Sequence, residues 1–153
     1  MHYPYHKYCC LGISGIEGEV ELASERTREV IETFLLRVEN RDARAVANCF
    51  SPSAPYRNVP GEPVVGPEAI AGLFQRILGA STKVKWDVIT ESYQPGIAWL
   101  ERRDRFWING AEYCVECNGV FLVDEDAGLI TEVRDYLDIG AWREHAAPSG
   151  LFD

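Results

Sequence analysis

The amino-acid sequence predicts an α+β domain in which a strongly curved, mixed or antiparallel sheet wraps over helices that precede it. Three observations predict this. Apolar residues recur at helical spacing three times before residue 80. From Lys83 onward the period becomes two and stays so through four long stretches. Asn109-Gly110, midway through that half, is a strong hairpin signal. Helices first and a strand meander after is the order of an α+β fold, not of alternating βαβ units. The 153 residues show no internal repeat, low-complexity run or linker, and that length suits one domain with a real core. The expected organisation is an N-terminal tail at 1–22, a single domain at 23–147 and a C-terminal tail at 148–153.

Each element has its own signal. Residues 1–22 carry no period, although Tyr3, Tyr5 and Tyr8 make them sticky. Ser24 is an expected N-cap, followed by Val30, Ile31, Phe34, Leu35 and Val38 on one helical face. Asn40-Arg41-Asp42 breaks that run, and Ala43, Val46, Ala47 and Phe50 fit a second, shorter helix closed by Ser51-Pro52. A short strand is expected over Ala54–Val59, ended by prolines. Gly66-Pro67-Glu68 opens a third helix with Pro at its first position. Ile70, Leu73, Phe74, Ile77 and Leu78 form its apolar stripe, and Gly79 is expected to end it. Strands follow from Lys83, from Ile97 to about Ile108, after Asn109-Gly110, and over Leu129–Ile139. A final short helix is expected near Gly140, and Pro148-Ser149-Gly150 reads as a frayed end.

Composition excludes several functions. A formal charge of −9 leaves no basic surplus for nucleic acid. No apolar run is long enough to span a bilayer, and the N-terminus lacks the apolar core of a signal peptide. A cytoplasmic location is the resulting expectation. Five cysteines (Cys9, Cys10, Cys49, Cys114 and Cys117) make no disulfide framework. Cys114 and Cys117 sit three apart in an alternating run, so they fall on opposite strand faces and cannot chelate one ion together. No metal is expected. The three histidines lie near the chain ends, which gives a His-activated nucleophile little support.

Two strands carry unexpected charge. Leu100, Arg102, Asp104 and Phe106 share one face of the first, while Glu101, Arg103 and Arg105 take the other. Val133, Asp135, Leu137 and Ile139 share a face of the second, with Asp135 its only ionisable group. If both faces line one core, it holds two carboxylates and one guanidinium. Two carboxylates in a low-dielectric site do not ionise together easily, so one tends to keep a proton. An acid and a base then share one cavity. Each stretch taken alone also fits a structural ion pair.

Tyr56-Arg57-Asn58-Val59-Pro60, Glu101-Arg102-Arg103-Asp104, Gly119-Val120-Phe121 and Arg134-Asp135-Tyr136-Leu137-Asp138 resemble, in that order, the limonene-1,2-epoxide hydrolase family. The resemblance runs from about Val30 to Ile139. It implies a cone of the nuclear-transport-factor-2 (NTF2-like, cystatin-like) type, usually a homodimer, with no cofactor. It implies Asp135 as the base that deprotonates water, Tyr56 and Asn58 as holders of that water, and Asp104 as the acid that protonates the epoxide oxygen. Arg102 would bridge the two carboxylates. Desolvation should keep Asp104 neutral, while hydrogen bonds and Arg102 favour an ionised Asp135. Arg103 stands where the family has a small apolar residue, but strand parity sends it outward. Phase and family position together give Leu35, Val38, Ile77, Phe106, Val115, Cys117 and Leu137 as the apolar wall for a terpene-like or lipid-like epoxide. Expected partners are that substrate and water. The alternatives are an isomerase or cyclase on the same fold, which needs only one of the acids, and a non-catalytic binder of an apolar molecule.

Overall fold

The computed structural model describes residues 16–152. Tyr3, Tyr5, Tyr8, Cys9 and Cys10 lie outside the described residues. The elements are α1 (Ile16–Glu39), α2 (Ala43–Ala47), β1 (Pro55–Val59), β2 (Val64–Val65) and α3 (Pro67–Ala80), followed by β3 (Lys83–Gln94), β4 (Ile97–Ile108), β5 (Ala111–Asp124), β6 (Leu129–Tyr136) and α4 (Ile139–Ala146).

The expected α+β architecture with a curved sheet is what forms. Six strands make one mixed sheet in the order β2-β1-β6-β5-β4-β3. Only the β1–β6 pairing is parallel among the pairs of named strands. The β4–β5 hairpin closes through Asn109 and Gly110, both at positive φ (52° and 82°), the conformation a two-residue turn of this hand demands. Helix α1 lies against β3, and Glu39 near its C-terminal end accepts from Trp86 N on that edge strand (3.2 Å).

Boundaries differ from expectation where local chemistry outcompetes a single signal. Helix α1 begins at Ile16, so Ser24 lies inside it and does not cap it. Glu17, Glu19, Glu21, Leu22 and Ala23 are strong helix formers that lack an apolar period. Gly79 does not end α3. The chain turns one residue after Ala80, at Ser81, whose hydroxyl and amide both bond Ile77 O. Strand β6 stops at Tyr136, because the Asp138 side chain accepts from Ala141 N (2.9 Å) and caps α4. Ile139 is therefore helical. The Pro148 segment is not frayed: Ala147–Ser149 form a 3-10 turn with Ser149 buried. Strand β2 was too short to carry a pattern. No helix of the described residues is long and apolar enough to cross a membrane.

An aromatic layer fills the interior. The Phe34 ring packs against Phe50, Phe74, Trp86 and Phe121 at centroid distances of 5.7–6.0 Å. This layer separates α1 from the hollow beyond it. It explains why Leu35 and Val38 do not line that hollow. Val38 is fully buried in the core behind the rings, and Leu35 packs on the core from its half-exposed edge.

Candidate active site

Strand parity puts Leu100, Arg102, Asp104 and Phe106 on the inner face of β4, all buried. Asp135 on β6 faces the same interior. Arg102 is 1% exposed, Asp104 4% and Asp135 2%. The sequence-derived trio does meet. Arg102 Nε donates to Asp104 Oδ1 (2.9 Å) and Nη2 to Asp104 Oδ2 (3.2 Å), a fork on a carboxylate two residues along the same strand. The same Nη2 donates to Asp135 Oδ2 (2.8 Å) and lies 3.3 Å from Cys117 Sγ.

Reaching Asp135 requires crossing a whole strand, because β5 runs between β4 and β6. The cross-strand partners explain how. Arg102 pairs with Cys117, and Asp135 pairs with Gly119, two residues further along β5. A Cβ on residue 119 would stand 2.3 Å from Arg102 Nη1, 2.7 Å from Asp135 Oδ1 and 2.8 Å from the Phe121 ring. The missing side chain is the channel through which guanidinium and carboxylate approach. Gly119 is thus a positioning residue. The sequence held its motif, but its role depends on registers that no local pattern reveals.

The remaining contacts fix the guanidinium and the base. Arg102 Cζ lies 4.3 Å from the Trp86 ring centroid, and Trp86 is the cross-strand partner of Asp104. The Tyr56 hydroxyl, on β1, donates directly to Asp135 Oδ2. The Tyr56 ring is held edge-to-face by Phe74 at 5.3 Å. Asn58 is the parallel-ladder partner of Asp135 and is half-buried. Asp135 Oδ1 has no hydrogen-bond partner among the described residues.

Burial sets the proton affinities. Desolvation pushes the Asp104 carboxyl up to about 6, against the opposing pull of Arg102. Asp104 therefore holds its proton to higher pH than a solvated carboxyl does, the direction expected of a buried acid. Burial alone would favour a neutral Arg102, but Asp104 and Asp135 outweigh it and raise the guanidinium pKa. Desolvation, with Asp135 second, raises the Tyr56 hydroxyl well above its ordinary value, so it stays a donor. Desolvation likewise keeps the Cys117 thiol protonated.

Asp104 and Asp135 face a cavity of about 230 Å³, with Arg102 behind them and not part of its lining. Tyr56, Asn58, Asp104 and Asp135 are part of its polar lining, with Ile77, Phe106, Val115, Cys117 and Leu137 among its walls. Five of the seven expected wall residues are therefore in place, and Leu35 and Val38 are the exceptions. The sequence reading missed Trp86, whose strand parity was the available signal. It also missed Arg76, Trp142, Arg143, Leu151 and Phe152, which α3, α4 and the C-terminal segment bring over the cavity. Cys114 and Cys117 point to opposite faces of β5. No group of His, Cys, Asp and Glu among the described residues is arranged to hold a metal ion.

A curved sheet closed by helices over an inward cavity defines an α+β domain of the NTF2-like type. The chain belongs to the SnoaL-like domain family, which matches residues 31–133. Solved structures share the fold. An LEH-like epoxide hydrolase from M. tuberculosis is 24% identical, with 87% of this chain and 95% of that one aligned (TM-score 0.67). A putative SnoaL-like polyketide cyclase from Shewanella denitrificans is 8% identical over 79% and 96% of the two chains (TM-score 0.69). A protein with a ketosteroid isomerase-like fold from Catenulispora acidiphila is 18% identical over 80% and 92% (TM-score 0.65). At these identities the likeness speaks to the fold, which hosts several chemistries.

Proposed function

We propose that this chain is an epoxide hydrolase that adds water to an apolar epoxide and forms a vicinal diol in one step, without a cofactor. The observation that carries the reading is the buried row Asp104–Arg102–Asp135, with both carboxylates opening on one apolar cavity. An isomerase needs one proton-transfer group. Two carboxylates held apart by a guanidinium suit a reaction that needs an acid and a base together.

The chemistry follows from the geometry. Asp135 has one oxygen committed to Arg102 and Tyr56, which fixes the carboxylate plane. It takes a proton from a water held beside Tyr56 and Asn58 as that water attacks a ring carbon. The carbon–oxygen bond breaks as protonated Asp104 gives its proton to the epoxide oxygen. The alkoxide, a poor leaving group at neutral pH, never stands free. The diol leaves with Asp104 ionised and Asp135 protonated, and one proton passing from Asp135 to Asp104 restores the site. Arg102 stays charged throughout and limits the build-up of negative charge when both acids are ionised.

The test is a panel of apolar epoxides in oxygen-18 water. The expected result is labelled diol after a single turnover, because water attacks directly. Asp135→Asn and Asp104→Asn should each lower kcat by about a hundredfold or more while the protein stays folded. Diol without label in the first turnover would point to an aspartyl ester. No diol from any epoxide, or near-normal rates in either variant, would remove the reading.

A further inference from the structure

We propose that the substrate is an apolar epoxide whose far end carries a carboxylate, gripped at the cavity mouth by Arg76 and Arg143. This deepens the hydrolase reading and rests on it. Arg76 on α3 and Arg143 on α4 line the same cavity as Asp104 and Asp135. Both arginines are exposed and both aspartates are buried, so the guanidinium groups stand at the open end and the acids at the floor.

These two cations are unusual for this chain. Acidic residues outnumber basic ones 24 to 15, and most described arginines are engaged. Arg28 pairs with Glu91, Arg44 with Glu68, Arg103 with Glu116, Arg105 with Asp87 and Arg134 with Glu132. Among the described residues, Arg76 and Arg143 carry neither a hydrogen bond nor an ion pair. Two elements distant in sequence thus bring unpaired guanidinium groups to one cavity mouth in a chain of net charge −9.

The charge order along the cavity sets direction. An anionic head driven inward meets Asp104 and Asp135, which repel it. At the mouth it meets donors that bind a carboxylate through two N–H groups at once. Leu73, Ile77, Val115 and Leu137 line the same cavity and suit a hydrocarbon stem. The ligand enters one way round, with its acid outward and its epoxide against the floor.

Binding of unreactive probes tests this apart from catalysis. Decanoate, methyl decanoate and decyl phosphate are titrated into the full chain and followed by the fluorescence of Trp86 and Trp142, which line the cavity. Decanoate should bind at least tenfold more tightly than its ester at low salt, and added salt should shrink that ratio. Arg76→Gln and Arg143→Gln should each reduce the ratio, and the double variant should bring it near one. Equal binding of acid and ester, or a preference that survives the double variant, overturns the proposal. Tighter binding of decyl phosphate than of decanoate overturns the carboxylate assignment. Because no probe carries an epoxide, these outcomes are independent of the oxygen-18 result, which tests the hydrolase reading alone.

Discussion

Strand β4 carries an arginine–carboxylate pair on each of its faces. On the inner face Arg102 holds Asp104 at 2.9 Å, with the two side chains 0% and 6% exposed. On the outer face Arg103 holds Glu116 at 3.2 Å, with side chains 51% and 81% exposed. The groups and the distances are nearly the same. What differs is the medium. Outside, water and salt screen the pair, and such pairs contribute about 0–1 kcal/mol. Inside, each charge has lost its hydration and depends on its partners, so removing one strands the others. The same local chemistry is therefore screened on one face and unscreened on the other.

The largest test removes the inner cation. Arg102→Ala leaves Asp104 and Asp135 buried together without a counter-charge. A loss of about 3–5 kcal/mol in urea unfolding at pH 7 is expected, with no measurable turnover. A loss below about 1 kcal/mol would mean that the interior is wet, and the two faces would cease to differ.

A second test uses pH. Asp104 binds its proton more tightly folded (about 6) than unfolded (ordinary value 3.8). Its contribution to stability is complete below about pH 4 and is lost as pH rises through 6. Asparagine mimics the protonated form at every pH. Asp104→Asn should therefore gain on the wild type between pH 4 and pH 8, by on the order of 2–3 kcal/mol. Urea unfolding at both ends of that range measures it. A flat difference would show that Asp104 is not desolvated.

The third test leaves all charges in place and shifts their positions. Gly119→Ala pushes a methyl group against Arg102, Asp135 and the Phe121 ring, so the guanidinium and the carboxylate must shift to admit it. Overpacking of this kind costs about 1–3 kcal/mol, and an ångström of misplacement costs about a hundredfold in rate. Thermal unfolding and kcat on the same preparation check both. Normal values for the alanine variant would dismiss Gly119 as a positioning residue.

How much of this was legible in the sequence depends on the distance over which each signal acts. Strand parity is local, so the inward turn of Arg102, Asp104 and Asp135 could be read directly. The family resemblance added Tyr56 and Asn58, whose own neighbourhood looks like turn chemistry. Register is not local. The role of Gly119 appears only when β4, β5 and β6 are set side by side. Layering is not local either. The helical stripe of α1 marked Leu35 and Val38 as buried or facing inward, but could not show that Phe34 and its aromatic neighbours stand between them and the cavity. The mouth was the least legible part, because α3, α4 and Leu151–Phe152 converge there from far apart in the chain.

The smallest expected effect is the one that isolates the comparison. Arg103→Ala deletes a guanidinium one residue from Arg102, on the same strand, and leaves Glu116 with water to replace it. The Arg103 side chain is half exposed, so there is no desolvation to recover and no cavity to fill. Unfolding free energy should change by no more than about 1 kcal/mol at low salt, and by less as salt rises. Turnover should match the wild type, because the hydrogen bonds of Arg102 lie wholly on the other face. Chemical unfolding at two salt concentrations, with kcat measured beside it, decides the matter. A salt-independent loss, or a fall in kcat, would mean that the outer charge is transmitted through the strand to the inner row. The two faces would then have to be treated as one coupled network.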